Sequence, residues 1–185
     1  MTTKRFILAA MLAWAFPAAA EPVFPENAVI SLIDRSGQEL AVGGVKFSQS
    51  EQGHTRFSVE LDSPRFTDQF LSMRPFRCIE GESEWFCHLP YPYALRGEVT
   101  TGDLTELEYS LLFLRKTPAE FGIDAWNGLY FDLEFDDDGA LRGRLLEGDL
   151  GVLASPPAQE FGRPIRLDEF IAAGKDRLFP AIVIQ

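Results

Sequence analysis

The stretch that most constrains the fold of this chain covers residues 76–93 and reads FRCIEGESEWFCHLPYPY. It holds both cysteines and one of the two histidines of the chain. If a hairpin turns about residues 82–83, Cys78 lies directly opposite Cys87, at a separation that a disulfide can bridge. Neither turn residue favours a positive φ, so we expect a four-residue loop, residues 81–84, rather than a two-residue turn. The stretch therefore predicts a hairpin cross-linked by Cys78–Cys87.

The alternative for the two cysteines is half of a metal site. A zinc site takes three or four ligands, and only His88 stands close to Cys78 and Cys87 in the sequence. A redox pair is normally spaced Cys-x-x-Cys, which these cysteines are not. We therefore expect a structural disulfide, with no metal and no cofactor.

Residues 1–20 have the composition of an export signal. A basic start precedes an apolar run over residues 6–16, and small residues lead up to a cleavage site after Ala20. The apolar run is too short to span a bilayer as a helix. We expect a protein that is periplasmic or secreted, in an oxidising compartment that favours disulfides, with residues 21–185 as a single β-rich globular domain.

The charge balance restricts the classes of partner. The chain has 28 acidic and 17 basic side chains and a formal net charge of −11. Loss of the signal removes Lys4 and Arg5, which leaves 17 − 2 = 15 basic side chains against 28 acidic ones, a net charge of −13. Such a field repels nucleic acid and anionic lipid, so we expect no nucleic-acid partner and no membrane contact after signal cleavage. A cationic protein or a small ligand remains as a partner class, and solubility alone also explains the acidity.

Three strands are predicted in the first half of the chain, over residues 29–34, 39–47 and 54–62. Gly43 and Gly44 interrupt the second strand and predict a bulge or a close backbone approach. The third alternates between apolar and polar residues, which buries one face and places His54 on the solvent side. His54 is therefore interpreted as an ordinary surface histidine.

One long helix is predicted over residues 103–116. Its leucines recur at helical spacing, acidic residues lie in its first turns and basic residues in its last turn. Glu106 and Glu108 are interpreted as part of its solvated face. A shorter helix is predicted over residues 63–70, where a Ser-Pro pair resembles a helix start and two phenylalanines stand four residues apart.

A second hairpin is predicted over residues 128–147, and its register can be derived. A three-residue loop, residues 137–139, pairs Phe135 with Leu141 and keeps the apolar side chains of both strands on one face. The glycine that ends this loop supplies the left-handed residue of the turn. In this register Tyr130 and the acidic residues that alternate with the apolar ones face outward.

The tail carries weaker signals. Residues 149–154 form a short helix or strand, residues 167–173 a short helix, and residues 181–184 a last buried strand. Together these elements predict a β-rich α+β fold, an antiparallel sheet or half-open barrel packed on one long helix, with short extra helices.

Two short runs on either side of the predicted disulfide carry a resemblance. Residues 73–78 read MRPFRC and residues 87–91 read CHLPY. This pattern resembles a group of small exported bacterial proteins of unassigned function, and the likeness extends to about Ala154, most of the chain after the signal. The group has no established activity or catalytic residues, so the resemblance implies an exported protein and no mechanism.

The arm that follows the second cysteine is the candidate binding site. Its prolines favour an extended backbone with few donors, and its aromatic rings must pack somewhere. The candidate patch consists of His88, Tyr91, Tyr93 and Trp126. Two interpretations stay open: the tyrosines cap the apolar core with their hydroxyls in water, or the patch docks a ligand or partner.

No motif in the chain assigns a catalytic residue. The nucleophile motif G-x-S-x-G, the H-E-x-x-H motif and any histidine-rich cluster are missing from the sequence. The sequence therefore favours a non-catalytic binding or accessory domain over an enzyme. The alternative is an acidic inhibitor of a cationic secreted enzyme such as a lysozyme, and a third hypothesis is a hydrolase that uses carboxylate chemistry.

Overall fold

The computed structural model describes residues 23–49, 54–72 and 75–185. The predicted signal, with its cleavage site after Ala20, lies outside these residues, as do residues 73–74 of the MRPFRC run. The described chain is dominated by strands: β1 Asn27–Ile33, β2 Glu39–Gln49, β3 Thr55–Glu60, β4 Phe66–Phe70, β5 Pro75–Glu80, β6 Trp85–His88, β7 Glu98–Val99, β8 Phe113–Lys116, β9 Gly128–Phe135, β10 Leu141–Gly148, β11 Ile171–Ala172 and β12 Ala181–Ile184. Helical structure is limited to α1, Thr105–Tyr109, and three short 3₁₀ helices, Ala125–Asn127, Gly151–Ala154 and Leu167–Glu169.

The strands form one 12-stranded sheet in the order β4-β5-β6-β8-β9-β10-β12-β1-β2-β3-β7, with β11 paired to β10. Every pairing is antiparallel. The predicted β-rich antiparallel fold is confirmed in the form of an open sheet. The prediction of one long helix packed on the sheet is wrong.

The disulfide hairpin has the predicted register. Cys78 pairs with Cys87, and the residue pairs between this pair and the loop continue in the same register. The sulfur atoms are bonded at 2.06 Å. The loop is residues 81–84, closed by a 3.0 Å hydrogen bond from the Gly81 N–H to the Glu84 carbonyl. The four-residue loop and the Cys78–Cys87 bond are both confirmed.

The second hairpin, β9–β10, also has the predicted register. Phe135 pairs with Leu141, and Gly139 adopts a φ of 81° in the loop. One expectation about its faces is wrong. Tyr130, predicted to face outward, is 1% exposed, because a second apolar layer covers the outer face of β9.

The segment predicted as a long helix divides into α1 and strand β8. Leu111 and Phe113 lie in one apolar core, and Leu112 and Leu114 lie in a second core on the other side of the sheet. An extended chain sends alternate side chains to opposite faces, whereas a helix would direct its leucines to one side only. Since β8 has a core on each side and lies between β6 and β9, Phe113 and Leu114 are buried on its opposite faces. Leu111 and Leu112 are buried just before the strand begins.

The short helix predicted over residues 63–70 is likewise wrong, because Phe66–Phe70 is strand β4 on the edge of β5. Residues four apart share a face in a helix and in a strand, so the spacing of Phe66 and Phe70 fits either structure. Pairing with β5 decides for the strand. The Ser63 hydroxyl accepts a 3.3 Å hydrogen bond from the Arg65 N–H in a local turn.

The strands of the first half agree with their patterns. The register between β1 and β2 shifts between Ile30 and Ser31, which leaves Val42 as an extra residue in β2. A Cβ at Gly43 would lie 2.1 Å from the Glu60 carbonyl oxygen. The predicted bulge and close approach are therefore both present. His54 is exposed, as expected.

In the tail, β12 is confirmed as a buried strand and lies between β10 and β1 near the middle of the sheet. Residues 149–154, for which the sequence predicts a short helix or strand, contain the 3₁₀ helix Gly151–Ala154. The helix predicted over residues 167–173 is wrong: a 3₁₀ turn, Leu167–Glu169, leads into β11. Backbone pairing of β11 with β10 holds the chain extended there.

Candidate functional site

The two ends of the open sheet face each other. Strands β3 and β4 follow each other in the chain, but β4 is the first strand of the order and β3 lies next to its last strand, β7. The linker between them, residues 61–65, reaches only about 20 Å when extended. Arg77 on β5 bridges the ends as well: its Nη1 donates to the Leu61 carbonyl at 2.5 Å, and its Nη2 lies 3.8 Å from a carboxylate oxygen of Asp62. A groove therefore remains where the sheet ends approach without pairing.

We call this space the edge groove, a depression of about 520 Å³ between β3, β5 and the arm that follows β6. Its apolar lining comes from β3, from the residue that follows it and from the arm: Phe57, Val59, Leu61, Pro90, Tyr91 and Leu95. Its polar lining is Ser58, Arg77, His88, Arg96, Gly97 and Ser110. The groove combines apolar walls with two guanidinium groups and no carboxylate among its lining residues.

The charge of the groove is opposite to that of the chain, whose formal net charge is −11. Arg77 is already engaged by Leu61 and Asp62, and its guanidinium lies 5.0 Å from the centre of the Phe66 ring. The Arg96 guanidinium lies 4.9 Å from the centre of the Phe161 ring. Among the described residues, no carboxylate is within ion-pair distance of Arg96. This exposed guanidinium is therefore available to an anionic group.

His88 lines the groove and is half-buried. Its Nε2 is 3.2 Å from the Ser110 carbonyl, and its ring centre is 5.6 Å from that of Phe113. Burial lowers the pKa of the His88 imidazole below its ordinary 6.5, so the ring is neutral at pH 7. Since a carbonyl only accepts, Nε2 carries the ring proton and donates it to Ser110.

The tyrosines of the arm pack on the second core. The Tyr91 ring lies 4.8 Å from that of Tyr109 and 5.6 Å from that of Tyr93, centre to centre. The Tyr93 hydroxyl donates a 2.8 Å hydrogen bond to the Leu153 carbonyl. Tyr91 thus contributes both to the core and to the groove wall, and Tyr93 packs against the Tyr91 ring without lining the groove.

The predicted patch is divided by the fold. His88 and Tyr91 line the edge groove, and Tyr93 contacts Tyr91 without lining it. Trp126 lies in the 3₁₀ helix Ala125–Asn127, is 74% exposed and is not a groove residue. The disulfide lies in the strands that carry the arm, with both Cys78 and Cys87 fully buried in the second core.

Two glutamates were interpreted wrongly from the sequence, and one of them, Glu106, positions the backbone of the groove. Glu106 is 7% and Glu108 5% exposed, although both were assigned to a solvated face. Oε2 of Glu106 accepts a 2.8 Å hydrogen bond from the Gly97 N–H and a 3.4 Å bond from the Glu98 N–H. It thereby holds the backbone beside Arg96. In the sequence, two acids at alternate positions of a predicted helix resemble exposed residues, so nothing there indicates that Glu106 binds the backbone of the groove.

A second depression, of about 560 Å³, contains carboxylates: Asp103, Glu108, Asp132 and Glu134 line it together with Arg163. Three of the four acids have partners. Asp103 pairs with Arg163, Asp132 pairs with Arg144 at 2.7 Å, and Glu108 accepts hydrogen bonds from Tyr130 and the Leu133 N–H. Within residues 23–49, 54–72 and 75–185, no group of histidine, cysteine and acidic side chains has the arrangement of a metal site.

No helix in the described parts of the chain combines the length and the apolar character that a membrane crossing requires. Comparison of the chain with protein families, with curated proteins and with solved structures found no match.

Proposed function

We propose that this protein is an exported, non-catalytic binding or accessory domain and that its ligand site is the edge groove. The observation that carries this proposal is the presence of Arg96, a guanidinium without a carboxylate partner among the described residues, beside the apolar walls of the groove. In a strongly acidic chain, such a site selects an anionic, partly apolar ligand. A volume of about 520 Å³ is within the usual size of small-ligand sites.

The side chains around the groove support binding rather than catalysis. Nucleophilic catalysis needs a hydroxyl or thiol within hydrogen-bond reach of a base. The Ser110 hydroxyl donates to the Glu106 carbonyl at 3.0 Å, and the His88 Nε2 proton is directed to the Ser110 carbonyl. These bonds hold the two side chains in structural roles and leave neither directed at a partner in the groove.

Export is the second part of the proposal. A buried disulfide is compatible with an oxidising compartment. Cleavage after Ala20, a periplasmic location and the resemblance to exported bacterial proteins remain predictions from the sequence. N-terminal sequencing of protein recovered from the periplasm of an expressing bacterium tests the cleavage site directly.

The groove is tested by charge reversal at Arg96. The protein is purified from the periplasm under mild conditions, and bound molecules are identified by native mass spectrometry. We expect Arg96→Glu to lose the bound molecule and Arg35→Glu to retain it, because Arg35 is an exposed arginine in the turn between β1 and β2. Retention by both variants, at unchanged melting temperatures, would remove the edge groove as the ligand site.

The two other hypotheses receive less support. In the disulfide loop, Glu84 is buried and its carboxylate lies 3.4 Å from Arg177, which leaves Glu82 as the exposed acid of residues 81–84. A single exposed carboxylate gives this loop little negative charge with which to bind a cationic enzyme. Co-sedimentation with lysozyme across a salt series tests this hypothesis: binding at low salt that is released at high salt would favour it. Hydrolysis by carboxylates usually takes a pair of acids. In the second depression Asp103, Asp132 and Glu108 already have partners.

A further inference from the structure

We infer that the edge groove binds the C-terminal end of an extended peptide, which pairs with the free edge of β3 and places its carboxylate on Arg96. This inference rests on the proposed function and names the chemical class of the ligand. It follows from three features of the groove: an uncovered strand edge, a fixed length between two blocked ends, and a free cation at one of those ends.

The uncovered edge is at Val59. Strand β7 pairs only with Thr55 and Arg56, and the Phe57 N–H then donates to the Gly97 carbonyl at 2.8 Å. Alternate residues of a strand direct their backbone groups to the same side, so the N–H and C=O of Val59 also point away from β2 and toward the groove. In the described part of the chain, neither group makes a hydrogen bond across this edge. An uncovered strand edge is a template for another extended chain.

The edge has a defined length. At one end, the Phe57 N–H donates to the Gly97 carbonyl. At the other end, the Leu61 carbonyl accepts a hydrogen bond from Arg77. The five residues from Phe57 to Leu61 span about 13 Å. This space admits three or four residues of a peptide. It does not admit a long strand, so the sheet is protected from open-ended edge-to-edge association.

The free cation selects a chain end. Arg96 lines the groove and precedes Gly97, whose carbonyl closes one end of the uncovered edge, and the groove lining contains no carboxylate. A guanidinium binds a carboxylate through two parallel, charge-assisted hydrogen bonds. A peptide that pairs with Val59 supplies backbone donors and acceptors, its apolar side chains contact Tyr91 and Leu95, and its terminal carboxylate reaches Arg96. Strand addition and capture of a terminal carboxylate are both known modes of peptide recognition.

A fatty acid shares the carboxylate and the apolar character but not the backbone. It would leave the Val59 N–H and C=O without partners, and buried polar groups without partners are costly. The peptide is therefore the occupant that the edge groove favours, and a fatty acid serves as the competing probe.

The experiment uses acetylated pentapeptides that end in three apolar residues and carry either a free C-terminal carboxylate or an amide. Binding to the purified protein is measured by isothermal titration calorimetry, with dodecanoate as the second probe. We expect amidation to weaken binding about tenfold or more, since hydrogen bonds to charged groups contribute that much. Arg96→Gln should abolish this difference, whereas Arg35→Gln should preserve it.

A second readout locates the peptide. The Val59 amide should gain hydrogen-exchange protection when the free-carboxylate peptide is added, and N-methylation along the peptide backbone should remove both the protection and the binding. Equal binding of acid and amide peptides, binding of dodecanoate alone, or absence of peptide binding would each overturn the inference. If Arg96→Glu still releases the molecule that co-purifies, the groove remains a ligand site for another chemistry. If it does not, the proposed function fails as well.

Discussion

The phenol of Tyr130 donates a hydrogen bond to Oε2 of Glu108 in the interior of the protein, where Oε1 of the same carboxylate accepts a 2.8 Å bond from the Leu133 N–H. These contacts attach α1 to β9. Burial, followed by the neighbouring Glu108 carboxylate, raises the pKa of the Tyr130 phenol, so Tyr130 remains a donor at physiological pH. Burial also raises the pKa of Glu108 above its ordinary 4.5.

The raised pKa of Glu108 predicts a pH-dependent stability. Because the folded pKa lies above the unfolded one, the contribution of Glu108 is complete below pH 4.5 and is lost as the pH rises through the folded pKa. Thermal unfolding of the wild type and of Glu108→Gln is measured from roughly pH 4 to pH 8. We expect the melting temperature of the wild type to fall relative to that of Glu108→Gln as pH rises. Parallel curves, with Glu160→Gln as an exposed control, would contradict this.

The Cys78–Cys87 bond should make a large contribution to stability. Removal of a native disulfide from a small secreted domain costs about 2–5 kcal/mol. We expect the double substitution Cys78→Ala and Cys87→Ala to lower the free energy of unfolding by this amount in urea titrations. Alkylation of denatured, periplasm-derived wild type should find no free thiol. Two reactive thiols would show that the bond does not form in the cell.

Gly139 tests the turn of the second hairpin. Its φ of 81° is unfavourable for a residue with a Cβ. Gly139→Ala should therefore lower the free energy of unfolding by roughly 1 kcal/mol or more. Gly102→Ala is the matched control: a Cβ there meets no atom within 4 Å, and the backbone is not left-handed. We expect this control to be neutral or slightly stabilising, and an equal loss at both positions would count against the turn.

Neighbouring glycines in β2 test the packing of the bulge. A Cβ at Gly43 would lie 2.1 Å from the Glu60 carbonyl oxygen and 2.8 Å from the Leu61 Cα, so the backbone itself must move. A Cβ at Gly44 comes no closer than 3.4 Å to the Ala28 carbonyl oxygen. Gly43→Ala should lower the free energy of unfolding by about 1–3 kcal/mol or more, and Gly44→Ala by much less. Similar losses in chemical denaturation would refute the close approach.

Tyr93 and Trp126 distinguish core residues from exposed ones within the predicted patch. Tyr93 is half-buried and its hydroxyl bonds to Leu153, whereas Trp126 is 74% exposed. Tyr93→Ala should lower the free energy of unfolding by about 2–4 kcal/mol, and Trp126→Ala should change it by less than about 0.5 kcal/mol. Thermal melts of both variants, with Tyr93→Phe to isolate the hydroxyl, provide the measurement. A stable Tyr93→Ala protein would return Tyr93 to the surface patch.

Part of the candidate site could be predicted from the sequence. The arm after Cys87 was recognised because prolines and tyrosines alternate there, and the structure places His88 and Tyr91 in the edge groove. Arg77 and Arg96 were missed, because a single arginine in a strand or a loop has no local pattern. Their positions depend on how the two ends of the sheet approach each other, which is a property of residues far apart in the chain.

The sequence by itself determined the two hairpins, since each register depends on a turn of a few residues and on alternating side chains within one short segment. It also determined the Cys78–Cys87 pair, which follows from that register. Only the tertiary structure decided the state of residues 113–116 and 66–70, whose apolar spacing fits a helix or a strand. Residues 113–116 form a strand because they pair with β6 on one side and β9 on the other, and residues 66–70 form a strand because they pair with β5. The physical reason is that local patterns fix which residues avoid water, whereas partners distant in the chain fix the backbone form that achieves it.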